Sequence, residues 1–518
     1  MDAKKTKLFD SKDSEKAFTP LERIFLFICI SLATFLIVLD YSVANVSLPY
    51  IAGDLGVSTD QGTYVITSFA VGSAVGLAMT GFLTKKIGEV RLITISVFLF
   101  TFFSWMCGIS FNLQMLIVCR FIQGLISGPL IPLSQSLLLK YGTQESRARD
   151  LSIWSTIVVT APVIGPILGG YISDWYSWPW IFYINIPIGI FCGLALWTLL
   201  HKRESKIQDT PTDVGGIALL IIGISTLQIF LDKGQQWDWW NSSLVWLLIS
   251  ASVISFTFLI IREIWHKTPL LDLQLFKIPS FSISIICIAV SYAMYFGAVV
   301  LVPLWLQEYM DYNAEWAGLA VCTLGIAPVL FSLITPIIIK KFGSTNTLIV
   351  SFFFFALGCF YSAYFTTDVD FYHVAFGRFI FGFGFICYIA PLLSISVQEV
   401  APDKIPSAAG IFHFIRAMLG AVGTAIFTTI WQRRTYFHHM RMGESLTPYN
   451  PLLPHVSSQP ALELLNRQVD VQAAMLAIND AFFLMGWLFI ALIALLLVWN
   501  FFGKRTDKNK AVIIGTSD

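Results

Sequence analysis

Charge is what this chain has least of: Asp, Glu, Lys and Arg together make up 13% of its 518 residues and balance to a net +1. A soluble domain carries about twice that share, so the soluble class is excluded, and a near-neutral balance leaves nucleic acid without support as a partner. No Cys-x-x-Cys pair occurs. The eight cysteines all fall in hydrophobic stretches and read as packing residues, neither disulfides nor metal ligands. There is no Gly-x-x-x-x-Gly-Lys-Ser/Thr loop, which argues against ATP hydrolysis, and no serine, cysteine or metal motif that suggests an enzyme or a bound cofactor. His438 and His439 are adjacent histidines without further ligands at suitable spacing, so no metal site is expected there. The first apolar run follows lysines, as in a signal peptide, but it is too long and lacks a small-residue cleavage site, so it reads as an uncleaved span.

What is abundant is apolar surface: 56% of residues are hydrophobic and the mean hydropathy is +0.72. Stretches bounded by charges or turn residues predict fourteen transmembrane helices, near 23–46, 62–84, 92–110, 113–139, 150–174, 180–200, 214–231, 242–262, 281–306, 315–339, 346–366, 371–397, 406–430 and 479–502. Sorting the 33 Lys and Arg between alternate loops places most of them on one side if both termini are cytoplasmic. The expected organisation is a cytoplasmic tail (1–22), a six-helix half (23–200), a linker with two inserted helices (201–280), a second six-helix half (281–502) containing a long periplasmic loop (431–478), and a cytoplasmic tail (503–518).

The halves repeat each other. Lys85-Lys86-Ile87-Gly88 recurs as Lys340-Lys341-Phe342-Gly343, and Arg120-Phe121-Ile122-x-Gly124 recurs as Arg378-Phe379-Ile380-x-Gly382 at nearly the same offset, which also carries Gly165 onto Gly423. Duplicated halves of this kind are the signature of transporters with a central binding site.

Within the spans Asp40 is the clearest buried carboxylate. A charge at that depth costs about 2.5–3.5 kcal/mol on an insertion scale, and burial disfavours the ionised form, so Asp40 is a candidate proton carrier; the alternative is local satisfaction by Asn45 or Ser42. Arg120 cannot deprotonate and needs a carboxylate, backbone carbonyls or water; it is either a proton-coupling partner or a helix-end arginine reaching the surface. Ala161-Pro162-Val163-Ile164-Gly165-Pro166-Ile167-Leu168-Gly169-Gly170 combines missing backbone donors with small residues that permit close helix approach. Pro162, Gly165, Pro166, Gly169 and Gly170 are therefore expected to bend the fifth helix and form a gating seam. Asn45, Gln123, Gln135, Tyr292, Tyr295 and Arg416 are candidates for a substrate cavity, the tyrosines being equally compatible with ordinary packing.

Taken together these motifs resemble the fourteen-helix drug:proton antiporter branch of the major facilitator superfamily. The resemblance runs from about Leu32 to Phe501. It rests on Leu39-Asp40, Gln61-Gly62-Thr63-Tyr64, Arg120 to Ser136, and Gly165-Pro166-Ile167-Leu168-Gly169-Gly170. One departure is Lys85, which stands where the superfamily's loop after the second helix has an aspartate. The resemblance implies an all-α membrane protein of the major facilitator fold, two six-helix halves plus an inserted helix pair, in the bacterial inner membrane. It also implies proton-driven export of hydrophobic small molecules, with a periplasmic membrane-fusion adaptor (EmrA-like) and a TolC-like outer-membrane channel as partners. Competing expectations are a dedicated exporter of one metabolite, such as a siderophore or fatty acid, and a membrane sensor that does not transport.

Overall fold

The computed structural model describes residues 18–142, 146–205, 207, 213–234, 237, 239–265, 270–312, 314–331, 334–444, 446 and 459–514, and among them the regular structure is helical throughout. We number the long helices α1 (Pro20–Val46), α2 (Tyr64–Ile87), α3 (Glu89–Gly108), α4 (Leu113–Tyr141), α5 (Arg147–Trp175), α6 (Trp180–Leu200), α7 (Val214–Lys233), α8 (Ser243–Trp265), α9 (Pro279–Tyr309), α10 (Ala314–Phe331), α11 (Ser344–Ser362), α12 (Phe371–Val397), α13 (Ile405–Gly443) and α14 (Gln459–Ile514).

Twelve helices among the described residues are long and apolar enough to cross a membrane. A thirteenth is counted if Trp316–Phe331 and Thr335–Phe342, bent by 67° at their break, form one span. The fourteenth expected span falls on α5, whose side chains are only partly described. Its 29 residues extend about 43 Å at the usual helical rise, more than a hydrocarbon core requires.

Local chemistry starts and stops these helices. Thr19 and Glu22 cap each other reciprocally ahead of Pro20, so α1 begins inside the stretch expected as a tail. Asn112 accepts from Met115 N at 2.8 Å to open α4, and Asp370 accepts from His373 N at 2.9 Å to open α12. The repeated glycines do the same job in each half: Gly88 ends α2 at φ 97° and Gly343 separates Thr335–Phe342 from α11 at φ 78°. That region admits glycine at little cost and opposes any side chain. The inserted pair α7 and α8 is clasped by Arg262 on Asp213 at 2.7 Å and by Ser252 Oγ donating to Gly223 O at 3.1 Å.

Packing divides the chain into two units, one of residues 1–283 with 396–417 and one of residues 284–395 with 418–518. In the first unit the start of α13 lies tightly on α2, where a Cβ on Gly410 would meet Leu77 O at 2.9 Å and one on Gly81 would meet Ser407 Oγ at 2.5 Å. In the second, Trp431 Nε1 donates to Ala474 O at 3.1 Å, joining α13 to α14. The expected loop 431–478 is helical at both ends, since α13 continues to Gly443 and α14 starts at Gln459, and the expected tail 503–518 continues α14 as far as Ile514.

Candidate functional site

In the first unit a polar cluster forms inside an otherwise apolar helix bundle. Asp40 on α1 and Arg120 on α4 have side chains with 0% exposure, and Arg120 Nη1 donates to Asp40 Oδ2 at 2.5 Å. Arg120 Nη1 also donates to Gln123 Oε1 at 2.8 Å. Its guanidinium lies over the rings of Phe69 and Phe182, at 4.2 and 5.4 Å from their centroids. Asp40 Oδ1 accepts from Asn185 Nδ2 at 2.7 Å and from Gln123 Nε2 at 3.4 Å. Ser104 Oγ accepts from Gln123 Nε2 at 2.8 Å and completes the ring. Four helices thus contribute one residue or more each, and the surrounding wall is Leu39, Val43, Val65, Cys107, Leu116 and Phe182.

Two of the alternatives left open by sequence do not match this geometry. Arg120 does not reach the surface; it is buried against Asp40. Asp40 is not satisfied by its own helix, because Asn45 instead donates to Tyr41 O at 3.0 Å and is exposed. Gln123, expected in a substrate cavity, is fully buried and engaged at both ends of its amide, so it holds the ion pair and presents nothing to a ligand. Asn185 and Ser104 were not anticipated. The signal for Asn185 was an amide in the apolar run Phe182-Tyr183-Ile184-Asn185-Ile186; Ser104 gave none, serine being common in membrane helices.

The chemistry available is that of a buried charge pair braced by neutral amides. Breaking a buried pair by removing one partner costs about 3–5 kcal/mol, because the other charge stays behind. Protonating Asp40 would remove its charge in place and leave the amides of Gln123 and Asn185 to hold the neutral acid.

Other candidates fall elsewhere. Gln135 is buried and its Oε1 pairs with His413 Nε2 at 2.6 Å, a histidine inside the apolar run of α13 that sequence reading passed over. Arg416 lies one turn beyond it, half-buried. The seam motif of α5 divides: Cβ atoms on Gly165 and Gly169 would meet Ser42 Oγ at 2.4 Å and Val43 O at 2.9 Å, so both approach α1, while nothing lies within 4 Å of one on Gly170. Gly170 is therefore corrected out of the close seam, since it points away from α1; the side chains of Pro162 and Pro166 lie outside the described residues. In the second unit Tyr292 and Tyr295 stack at 5.6 Å, and Tyr295 also meets Phe381 and Phe385 at 6.1 and 5.1 Å. No group of three or more His, Cys, Asp or Glu suited to a metal occurs among the described residues.

Residues 30–424 match the Major Facilitator Superfamily. The chain is 41% identical over 495 residues to the Multidrug export protein EmrB of Escherichia coli strain K12, covering 94% of this chain and 96% of that one. It is 40% identical over 479 residues to the Fatty acid resistance protein FarB of Neisseria gonorrhoeae, covering 91% and 94%. Among solved structures the human organic anion transporter MFSD10 aligns with a TM-score of 0.57 at 12% identity, covering 91% of this chain and all of the other, which speaks to the fold alone. The many apolar spans, the internal duplication, the buried charge pair and these matches lead to one conclusion: the chain is a multi-pass membrane protein of the major facilitator superfamily, a transporter and not an enzyme.

Proposed function

We propose that this protein is a proton-driven antiporter of the inner membrane, both termini cytoplasmic, which exports hydrophobic drugs and toxic amphiphiles. The observation that carries the reading is the Asp40–Arg120 pair, an acid held at 2.5 Å from a permanent cation in a buried bundle interior. Loading Asp40 with a proton from outside releases Arg120 from its partner, and returning the proton inward restores the pair; coupling follows when substrate is tolerated in only one of the two states. One charge crossing about 100 mV supplies roughly 2.3 kcal/mol, enough for about a fiftyfold gradient. The similarity to EmrB supports drugs as substrates, and the similarity to FarB supports a second reading, export dedicated to fatty acids.

Asp40→Asn in proteoliposomes tests the proton role. It keeps the size of the side chain and removes its charge, and it should insert while losing pH-gradient-driven accumulation of an apolar dye. Near-normal concentrative transport by this variant would refute the assignment.

The same reading includes a tripartite pump, with a periplasmic adaptor of the EmrA type and a TolC-like channel. Support comes from α13, whose 39 residues reach about 58 Å, well beyond a hydrocarbon core of about 30 Å. Its outer end is clasped to α14 by Arg434 and His438 on Asp480, at 2.6 and 2.8 Å, and by His439 on Asp470 at 2.7 Å. Deleting residues 444–458 should abolish co-purification of the adaptor yet leave transport in proteoliposomes intact; undiminished adaptor recovery would remove the docking role.

A further inference from the structure

Arg378 in the second unit is buried as completely as Arg120, with 0% exposure, but no acid pairs with it among the described residues. Its Nη2 donates to Ser362 Oγ at 2.6 Å, while Nε and Nη1 have no hydrogen-bond partner. Its guanidinium rests on Phe482 and Phe381, at 4.8 and 5.4 Å from their centroids. The duplication shows what has been lost. The offset from Arg120 to Arg378 carries Ser104 onto Ser362, which is kept, and Gln123 onto Phe381, which is not. Phe182 under Arg120 is answered by Phe482 under Arg378; one turn further on, Asn185 is answered by Met485. Helix α9, the counterpart of α1, contains no acid before Glu308 near its end.

An arginine cannot shed its proton, and an isolated buried cation carries a solvation penalty of several kcal/mol. A half of the molecule that retains the cation and replaces its neutral and acidic partners with aromatic and apolar residues has the composition of a receptor for an anion with an apolar body. A cavity of about 390 Å³ is lined by Met310, Asp311, Tyr312, Trp316 and Phe371. Phe371 lies on the same face of α12 as Arg378, two turns and about 10 Å away. Beyond Arg378 on that helix lies Phe381, 4.6 Å from Phe355 of α11, which is in turn 5.1 Å from Phe489 of α14.

We propose that Arg378 and Ser362 form the head-group site for carboxylate-bearing amphiphiles, the acid accepting from the Arg378 guanidinium and the apolar body lying along Phe355, Phe381 and Phe482. This rests on the reading of the protein as an exporter of amphiphiles and narrows it to those with an acidic head. The site is distinct from the Asp40–Arg120 pair, whose cation is already neutralised.

The test is direct binding of two probes, 1-pyrenebutyrate and the uncharged 1-pyrenebutanol, to purified full-length protein in detergent, followed by energy transfer from tryptophan to pyrene. A charge-assisted pair of hydrogen bonds should favour the acid by about ten- to hundredfold. Arg378→Gln should collapse that ratio toward one, and Arg378→Lys should retain part of it. Wild-type protein without a preference for the acid, or an Arg378→Gln protein that keeps the preference, overturns the proposal. If Arg378→Gln does not purify, Arg378→Lys decides, because loss of the planar fork must reduce the preference; an undiminished ratio overturns it. No proton gradient enters this measurement, so failure of pH-driven transport would sink the antiport reading and leave this one standing.

Discussion

Arg120 and Arg378 begin from the same local sequence, Arg-Phe-Ile-x-Gly, and the helices carrying them pack alike. A Cβ on Gly124 would meet Phe69 O at 2.2 Å, and one on Gly382 would meet Leu324 O at 2.3 Å. Each arginine lies across a phenylalanine from the last helix of its half, Phe182 in one case and Phe482 in the other. What differs is the company: one cation has a carboxylate, the Gln123 amide and the Val65 carbonyl, the other a single serine hydroxyl. Duplication preserved the scaffold and the cation, and the partners diverged. One half thereby holds its own counter-charge, and the other is left to take one from outside.

The sharpest way to break that comparison is to remove each cation in turn. Arg120→Met should destabilise the protein by about 3–5 kcal/mol, because Asp40 remains as an uncompensated buried charge. Arg378→Met removes a charge that has no partner and adds apolar packing against Phe381 and Phe482, so its melting temperature in detergent should be unchanged or higher. Equal losses in the two variants would mean that Arg378 has a counter-charge after all and that the halves are alike.

The sequence made Asp40 and Arg120 visible because a charge in an apolar run is costly and must have a cause. It left their neighbours obscure. Gln123 sits one turn from Arg120, and only the rotation of α4 decides whether its amide faces a cavity or the pair. Asn185 and Ser104 are neutral, and a neutral polar residue in a membrane helix is too cheap to stand out. Gln135 and His413 are separated by 278 positions, and no local pattern links them. The C-terminal end of α13 and the N-terminal end of α14 look like loop in the sequence because the apolar criterion stops where Arg433, Arg434 and Glu463 appear, whereas the helical backbone continues past them as the two ends brace each other. The break between α10 and Thr335–Phe342 also escaped, since a continuous apolar stretch carries no mark of a 67° bend.

The smallest expected effect lies at the mouths of the two arginine-bearing helices, where the same offset carries Asn112 onto Asp370. Both side chains cap their helix by accepting from the backbone three residues on, Met115 N at 2.8 Å and His373 N at 2.9 Å. Only Asp370 is ionisable. The hydrogen bond from the His373 backbone, then that from the His373 ring at 2.5 Å, holds its carboxyl below the usual 3.8, and the positive end of the helix favours the anion in the same sense. A carboxyl depressed in the folded state stabilises above its unfolded value, and the contribution disappears as pH falls through the folded one. The cap of α12 should therefore weaken on acidification below about pH 4, while the Asn112 cap of α4 should not respond. Asn112→Ala should cost about 1 kcal/mol at every pH. For Asp370→Asn, the difference in melting temperature from the parent should be present at neutral pH and shrink as the pH is lowered past 4. A difference that stays constant down to pH 3 would show that the charge of Asp370 contributes nothing and that the two caps, unlike the two arginines, have remained equivalent.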